Sequence, residues 1–382
     1  MDFRLTDEQT QIQEMVRDFA LTEIKPNLNE WDEAQHFPVE TFKRAGGLGM
    51  LGVTIPEQYG GAGLSYIDYI HVVEELAVID SGFALSVAAH NSLCTGHIYL
   101  DGNAEQKKKW LPKLTSGEWI GAWGLTEPSS GSDASGMHTT AVKDGDDWIL
   151  NGTKNFITNA TYADIAVVLT VTDRNDAKRG VTAFAVEMDR PGIRPGKKEN
   201  KLGMRVSDTA ELVMEYCRVP SSNIVGEIGH GFIGAMKTLD GGRISIGALS
   251  VGIARGAYEA ARDYAKQRHA FGKAIAEFQA IQFMLADMAT EIDAARLLCY
   301  RAAAIKDAGE KVTQASAMAK LYASEVAVRA TEKCVQIFGG YGYIKEFPAE
   351  KFYRDVKLCT IGEGTSEIQR MVIARNLLSE NS

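Results

Sequence analysis

The chain has 382 residues, of which 45% are apolar, 24% charged and 8% aromatic. That composition excludes a disordered, collagenous or disulfide-scaffold protein, and the length suits two or three domains around sizeable cores. A net charge of −9 argues against a general nucleic-acid surface, so Lys107-Lys108-Lys109 reads as a solvated helix face.

The opening Met1-Asp2-Phe3-Arg4 begins no apolar signal-peptide core. The uncharged apolar stretch Ile244 to Ala254 is far short of the ~18–20 residues a membrane span needs. A soluble cytoplasmic protein is expected; a mature organellar protein would look the same. Cys94, Cys217, Cys299, Cys334 and Cys359 form no C-x-x-C pair. They read as buried thiols in a reducing compartment rather than staples or zinc ligands.

Thr6 and Gln9 form a capping-box pattern ahead of an amphipathic run through Ile12, Met15, Val16, Phe19 and Ala20, which Pro26 is expected to end. After the glycine-rich loop 55–63, Ser65 opens a second helix with Ile67, Ile70, Val73, Leu76 and Ala77 on one face. Ala84 to Leu93 is apolar enough for a helix buried all round, and Asn103 can cap a third helix, Ala104 to Leu114. Near residue 120 the texture changes. Short β-type runs at 148–150, 166–169, 181–186 and 211–216 are separated by Gly, Pro, Asn and Asp clusters. They predict a small antiparallel β domain ending near Pro220. Helical patterns return at about 230–268, 278–308, 312–338 and 365–379, joined by short loops, which implies an antiparallel bundle. The expected organisation is α+β: an N-terminal helical domain over 1–120, a β domain over 121–228 and a helical bundle over 229–382.

Gly229-His-Gly231-Phe-Ile-Gly234 matches G-x-G-x-x-G, but Pro220 to Gly229 separates it from the last strand. The place of the expected acid, twenty residues beyond Gly234, is held by Ala254. A dinucleotide fingerprint needs the strand immediately before and that acid, so the segment reads as a flexible lead-in to a helix. The seven histidines show no metal-ligand spacing and no G-x-S-x-G elbow occurs; no metal site is expected.

Two polar segments carry more. Leu125 to Gly136 offers hydroxyls and free N–H groups suited to an anion or heterocycle edge; it is equally compatible with a surface turn. In Ile361-Gly-Glu-Gly-Thr-Ser-Glu-Ile368, Glu363 lies between glycines ahead of a helix that Thr365 or Ser366 could cap. It reads either as a general base or as a charge favouring the helix N-terminus.

Five segments then occur in order: Leu125-Thr-Glu-Pro-x-x-Gly-Ser-Asp, Asn151-Gly-Thr-Lys-x-x-Ile-Thr-Asn159, Gln267-Arg-x-x-Phe-Gly272, Gln336-Ile-Phe-Gly-Gly-Tyr-Gly342 and Glu363-Gly-Thr-Ser-Glu-Ile-Gln369. Together they resemble the acyl-CoA dehydrogenase family of flavoproteins, most nearly its short-chain, butyryl-CoA-type members, over essentially the whole chain. The resemblance implies a C-terminal four-helix bundle, FAD as cofactor, an acyl-CoA substrate, an electron-transfer flavoprotein as acceptor and a homotetramer. It makes Glu363 the base that removes the α-proton of the thioester. It places Trp123, Leu125, Thr126, Gly131, Ser132, Phe156, Ile157 and Thr158 at the flavin, with Ser132 also toward CoA. It gives Arg268, Phe271, Gln279, Gln336, Ile337, Gly339 and Gly340 cross-subunit cofactor contacts, and sets Thr365 and Glu367 on the flavin side. Asp240, Arg243 and Gly364 fall to the substrate.

The pattern departs in places. Phe156 replaces a common tryptophan, and Gly362 replaces the tyrosine usual before the base in straight-chain members, which should widen the pocket beside the α-carbon. Ala89 to Cys94 resembles isovaleryl-type members, whose base falls at the position of Gly242, where glycine cannot serve. Short straight or branched acyl groups are therefore expected. An oxidase on the same fold, a dehydrogenase for larger or cyclic acyl groups and a non-catalytic scaffold stand as alternatives.

Overall fold

The computed structural model describes residues 4–176 and 180–379, which leaves the opening residues 1–3 outside. Its elements follow the order helices, sheet, helices. The first helix, α1 (Asp7–Phe19), starts where Thr6 Oγ1 accepts the Gln9 N–H and Gln9 Oε1 accepts the Thr6 N–H, both at 3.1 Å. Pro26 does not end the helical path. The chain passes through a π turn (Ala20–Ile24) and a 3₁₀ turn containing Pro26, then resumes as α2 (Leu28–Ala34). Proline lacks an N–H, and at the start of a helical segment that donor has no partner to lose. After α3 (Val39–Gly47), Ser65 with Asp68 caps α4 (Tyr66–Ile79). Every residue of α5 (Ser81–Ala89) is buried, as its uniformly apolar sequence requires. The short α6 (Gly96–Asp101) leads to α7 (Ala104–Thr115), capped by Asn103.

The sheet comprises β1 (Gly121–Gly124), β2 (Thr140–Asp144), β3 (Asp147–Thr158), β4 (Ile165–Val171), β5 (Val181–Glu187), β6 (Ile193–Lys198), β7 (Thr209–Pro220) and β8 (Ile224–Val225). Its order is β6-β7-β3-β2-β4-β5-β8, with β1 beside β4. Most pairings are antiparallel, as expected, but β1–β4 and the single β2–β4 bridge are parallel. A tight hairpin such as β2–β3 enforces antiparallel pairing. Strand β1 reaches β4 through a long connection that imposes no such constraint.

The 37-residue α8 (Gly231–Gln267) is followed by the small β9–β10 ribbon (His269–Ala270, Lys273–Ala274), α9 (Gln279–Asp307), α10 (Thr313–Phe338), α11 (Ala349–Asp355) and α12 (Ser366–Ser379). Helix α8 packs along α4, α9 and α10, and one apolar core runs from the N-terminal helices into this bundle. The G-x-G-x-x-G segment is a packing device and not a loose lead-in. A side chain at Gly231 would meet the Thr182–Ala183 backbone, and one at Gly234 would run into Asp101. The five cysteines are free and buried. Among the described residues no helix is long and apolar enough to cross a membrane, and no cluster of His, Cys, Asp or Glu is placed to hold a metal.

Candidate active site

Glu363 sits on the short link between α11 and α12, in the left-handed region at φ +52°, and Gly364 follows at φ +92°. Its carboxyl lies against α8. A Cβ added to Gly242 would run into Glu363 Oε2 and come 3.2 Å from Leu93 Cδ2. That oxygen is buried and has no hydrogen-bond partner. Burial pushes the Glu363 carboxyl up to about 7, against the opposing pull of Lys320 and Arg243. Among the described residues the Glu363 N–H also finds no acceptor. A carboxylate near neutrality beside an unengaged backbone donor is what proton removal next to a carbonyl requires.

The groups expected at the substrate lie here. Arg243 donates to Asp240 Oδ1 at 2.6 Å, and Asp240 Oδ2 accepts Thr313 Oγ1–H at 2.6 Å. Gly364 offers its carbonyl to Lys320 Nζ at 2.7 Å. Thr365, not Ser366, caps α12 by accepting the Ile368 N–H at 3.3 Å, and Glu367 lies exposed in its first turn.

On the sheet, β3 bulges after Lys154, so that Phe156 (φ +57°) is turned out to 61% exposure while Ile157 points inward. The Thr126 carbonyl accepts the Asn155 N–H at 2.8 Å, which joins the 125–136 loop to this bulge. Trp123 is held in β1 by donation from Nε1 to His97 Nδ1 at 3.0 Å. Burial pushes His97 down to about 4 and keeps it a neutral acceptor. Gly131 and Ser132 are exposed, and a Cβ at Gly131 would meet open space. The hydroxyls of Thr126, Ser132 and Thr158 make no hydrogen bond among the described residues. Unengaged hydroxyls, an exposed aromatic face and a strained bulge suit a heterocyclic cofactor edge.

The remaining expected residues gather elsewhere on the chain. Arg268, Ile337, Gly339 and Gly340 line a surface cavity of about 440 Å³, with Tyr341 under the Arg268 guanidinium at 5.5 Å. Gln336 and Gln279 are exposed, the former near the end of α10 and the latter at the start of α9. Phe271 is 96% exposed on the turn between β9 and β10.

Three residues near the site escaped the sequence reading. Lys154 is fully buried, donating to Glu127 Oε1 at 2.7 Å and to the Leu125 carbonyl at 3.2 Å. Glu127 in turn accepts the His138 and Thr139 N–H groups at 2.6 and 2.9 Å, so this pair closes both ends of the 125–136 loop. Lys320 is also fully buried. Its signal was available: it falls on the helix face of Ser316, Ala323, Ser324 and Ala327, where a lone charge is out of place.

Three family models cover nearly all of the chain: the acyl-CoA dehydrogenase N-terminal domain over residues 6–118, the middle domain over 122–217 and the C-terminal domain over 229–378. A short-chain specific acyl-CoA dehydrogenase of Clostridium acetobutylicum is 48% identical over 374 residues, 98% of this chain and 99% of that protein. The butyryl-CoA dehydrogenase structure from Megasphaera elsdenii superposes with a TM-score of 0.97 at 45% identity, covering 99% of this chain and all of the other. A chain solved in work on the electron transferring flavoprotein of Acidaminococcus fermentans superposes with a TM-score of 0.98 at 48% identity, covering 99% and 100%. The chain belongs to the acyl-CoA dehydrogenase family: it is an FAD-dependent oxidoreductase acting on the CH–CH group of acyl-CoA.

Proposed function

We propose that this enzyme oxidises short straight or branched acyl-CoA thioesters to trans-2-enoyl-CoA, with Glu363 as the base, and delivers the electrons to an electron-transfer flavoprotein. The observation that carries the reading is the Glu363 carboxyl, whose Oε2 is buried without a hydrogen-bond partner and which burial pushes up to about 7 between two glycines. Its free Glu363 N–H is the donor available to the thioester oxygen as the α-proton leaves. Lowering the cost of that developing negative charge is what lets a carboxylate abstract a proton from carbon. Trp123, Leu125, Thr126, Gly131, Ser132, Phe156, Ile157, Thr158, Thr365 and Glu367 would hold FAD on this side. When bound, FAD supplies the acceptor for the hydride lost from the β-carbon. Arg268, Phe271, Gln279, Gln336, Ile337, Gly339 and Gly340 would serve the cofactor of another copy, which makes the working form an oligomer, read here as a homotetramer. The Acidaminococcus comparison and the Clostridium relative support the acceptor and a cytoplasmic setting.

Chain-shape preference turns on Gly362. A Cβ there would meet the Leu358 side chain and carbonyl at 3.5 Å, ordinary contact distance, so a larger side chain could stand at this position, and its absence would leave room for a branched acyl group. The test is an anaerobic titration with butyryl-, isobutyryl-, isovaleryl- and hexanoyl-CoA while following the flavin absorption band. Bleaching by the four- and five-carbon thioesters is expected; a yellow protein that none of them bleaches overturns the substrate class. Glu363→Gln should keep flavin and lose about 10²–10⁴-fold in kcat. Normal turnover in that variant would remove Glu363 from the role of base. Gly362→Tyr should lower kcat/KM for isovaleryl-CoA more than for butyryl-CoA.

A further inference from the structure

The Glu363–Gly364 link is held from behind by two fully buried side chains. Lys320 Nζ donates to the Gly364 carbonyl at 2.7 Å. Gln369 Nε2 donates to the same carbonyl at 2.9 Å and to the Glu363 carbonyl at 3.2 Å. Both residues are 0% exposed. A glutamate in the left-handed region is strained and persists only where its surroundings fix it. These two donors do so, and neither touches the carboxyl.

The other polar groups around Glu363 are differently engaged. On α8, Arg243 is paired with Asp240, which Thr313 of α10 also binds. On α4, Tyr66 and Tyr69 are buried phenols whose ionisation is pushed well above the ordinary range. On α9, Lys306 lies over the Tyr66 ring and Asp307 binds the Tyr66 and Ile67 N–H groups. Cys359 and, on α12, Glu367 face Lys320. Lys320 is thus the cation facing Glu363 that hydrogen-bonds to the base loop itself.

We propose that Lys320 is the positioning residue of the Glu363 base: its ammonium anchors the Glu363–Gly364 peptide and holds a positive charge near a carboxyl it does not contact. The proposal rests on Glu363 being the base. Lys320 is the strongest influence opposing the burial that raises Glu363, ahead of Arg243. A direct ion pair would hold the carboxylate ionised and weakly basic, well below its ordinary range. Without the charge, burial would raise Glu363 further, and less of it would be ionised to accept the α-proton at neutral pH. Hydrogen bonding to the adjacent carbonyl keeps the ammonium between those limits.

The experiment compares the FAD-loaded wild type with Lys320→Met, Lys320→Gln, Gln369→Met and Glu363→Gln, reading flavin content, visible spectrum and the pH dependence of kcat/KM with butyryl-CoA. Lys320→Met should keep flavin, lose at least tenfold in kcat at pH 7 and move the acid limb upward by about one pH unit. Lys320→Gln, which keeps a donor but no charge, should recover part of kcat while its acid limb stays displaced. Gln369→Met should lower kcat with the limb unmoved. Flavin-loaded Lys320 variants with the wild-type limb would overturn the proposal. If the neutral variants lose flavin, Lys320→Arg keeps the charge and decides the matter: an unmoved limb supports the assignment and a displaced one overturns it. Active Glu363→Gln would instead bring down the base assignment, a separate failure.

Discussion

Two buried lysine–glutamate arrangements flank this site, and they do opposite things. Lys154 touches Glu127 at 2.7 Å, and Glu127 also accepts two backbone N–H groups. Burial pushes the Glu127 carboxyl up, but Lys154 and those donors more than offset it, so it stays below its ordinary value and ionised. Lys320 instead turns its ammonium to the Gly364 carbonyl and leaves Glu363 Oε2 without a partner, and there burial wins. Both lysines are themselves pushed down to about 8 by burial. The residue types are alike and both lysines are fully buried; contact with the carboxyl separates the two arrangements. A satisfied pair becomes a clasp for a loop, while a withheld contact leaves a carboxyl able to exchange a proton.

Breaking the clasp should have the largest effect. Lys154→Met leaves Glu127 charged, buried and unpaired, which typically costs 3–5 kcal/mol. Denaturant unfolding should register that loss, and flavin should wash out because both ends of the 125–136 loop are released. Adding Glu127→Gln removes the stranded charge and keeps an acceptor for one of the His138 and Thr139 N–H groups, which bind different carboxylate oxygens, so stability should partly return. Lys320→Met should be milder, since it strands no contacting carboxylate and Gln369 still serves the Gly364 carbonyl. Equal losses at the two lysines would erase the distinction between clasp and base.

Gly242→Ala sharpens the catalytic half. Alanine is a better helix former than glycine by about 1 kcal/mol, and Gly242 lies inside α8. Its methyl group, however, would occupy the place of Glu363 Oε2. Displacing a base by about 1 Å can reduce rate 10²-fold, so kcat should fall 10–100-fold with flavin retained. Wild-type kcat in that variant would show that the carboxyl works from another position.

Much of this molecule is local and therefore legible. Thr6, Ser65 and Asn103 announce helix starts through side chains three residues apart. The bulge that exposes Phe156 and the glycines beside Glu363 lie inside motifs readable as strings. What stayed hidden depends on partners far along the chain. Glu127 and Lys154 are 27 residues apart, and Lys320 meets Gly364 across 44. The parallel placement of β1 on β4 is likewise a tertiary choice. Gly231 and Gly234 matched a nucleotide fingerprint for a reason the string does not show, the close approach of α8 to β5 and to Asp101. Glu363 could be named from its motif, but its burial, and with it its proton affinity, could not.

That burial makes a smaller prediction that separates the two glutamates without any substrate. Glu363 titrates near its ordinary carboxylate value when unfolded and at about 7 when folded. Between those values the folded protein binds the extra proton, so stability falls as pH rises. Above pH 7 the full penalty for a buried charge remains, of order 1–2 kcal/mol after allowance for relaxation around the site. Glu363→Gln removes it. The variant should therefore unfold at a higher temperature than wild type at pH 8, and the gap should close as pH is lowered toward 4.5. The sign reverses for Glu127, whose carboxyl is held below its ordinary value: Glu127→Gln should be destabilised at pH 8, with the difference shrinking once acid protonates the wild-type carboxylate. Thermal melts of Glu363→Gln between pH 4.5 and 8, and of Glu127→Gln from pH 8 down to well below its ordinary carboxylate range, would test both signs. Two curves that shift in the same direction would mean that Glu363 is as firmly paired as Glu127, and that the site holds no carboxyl poised to take a proton.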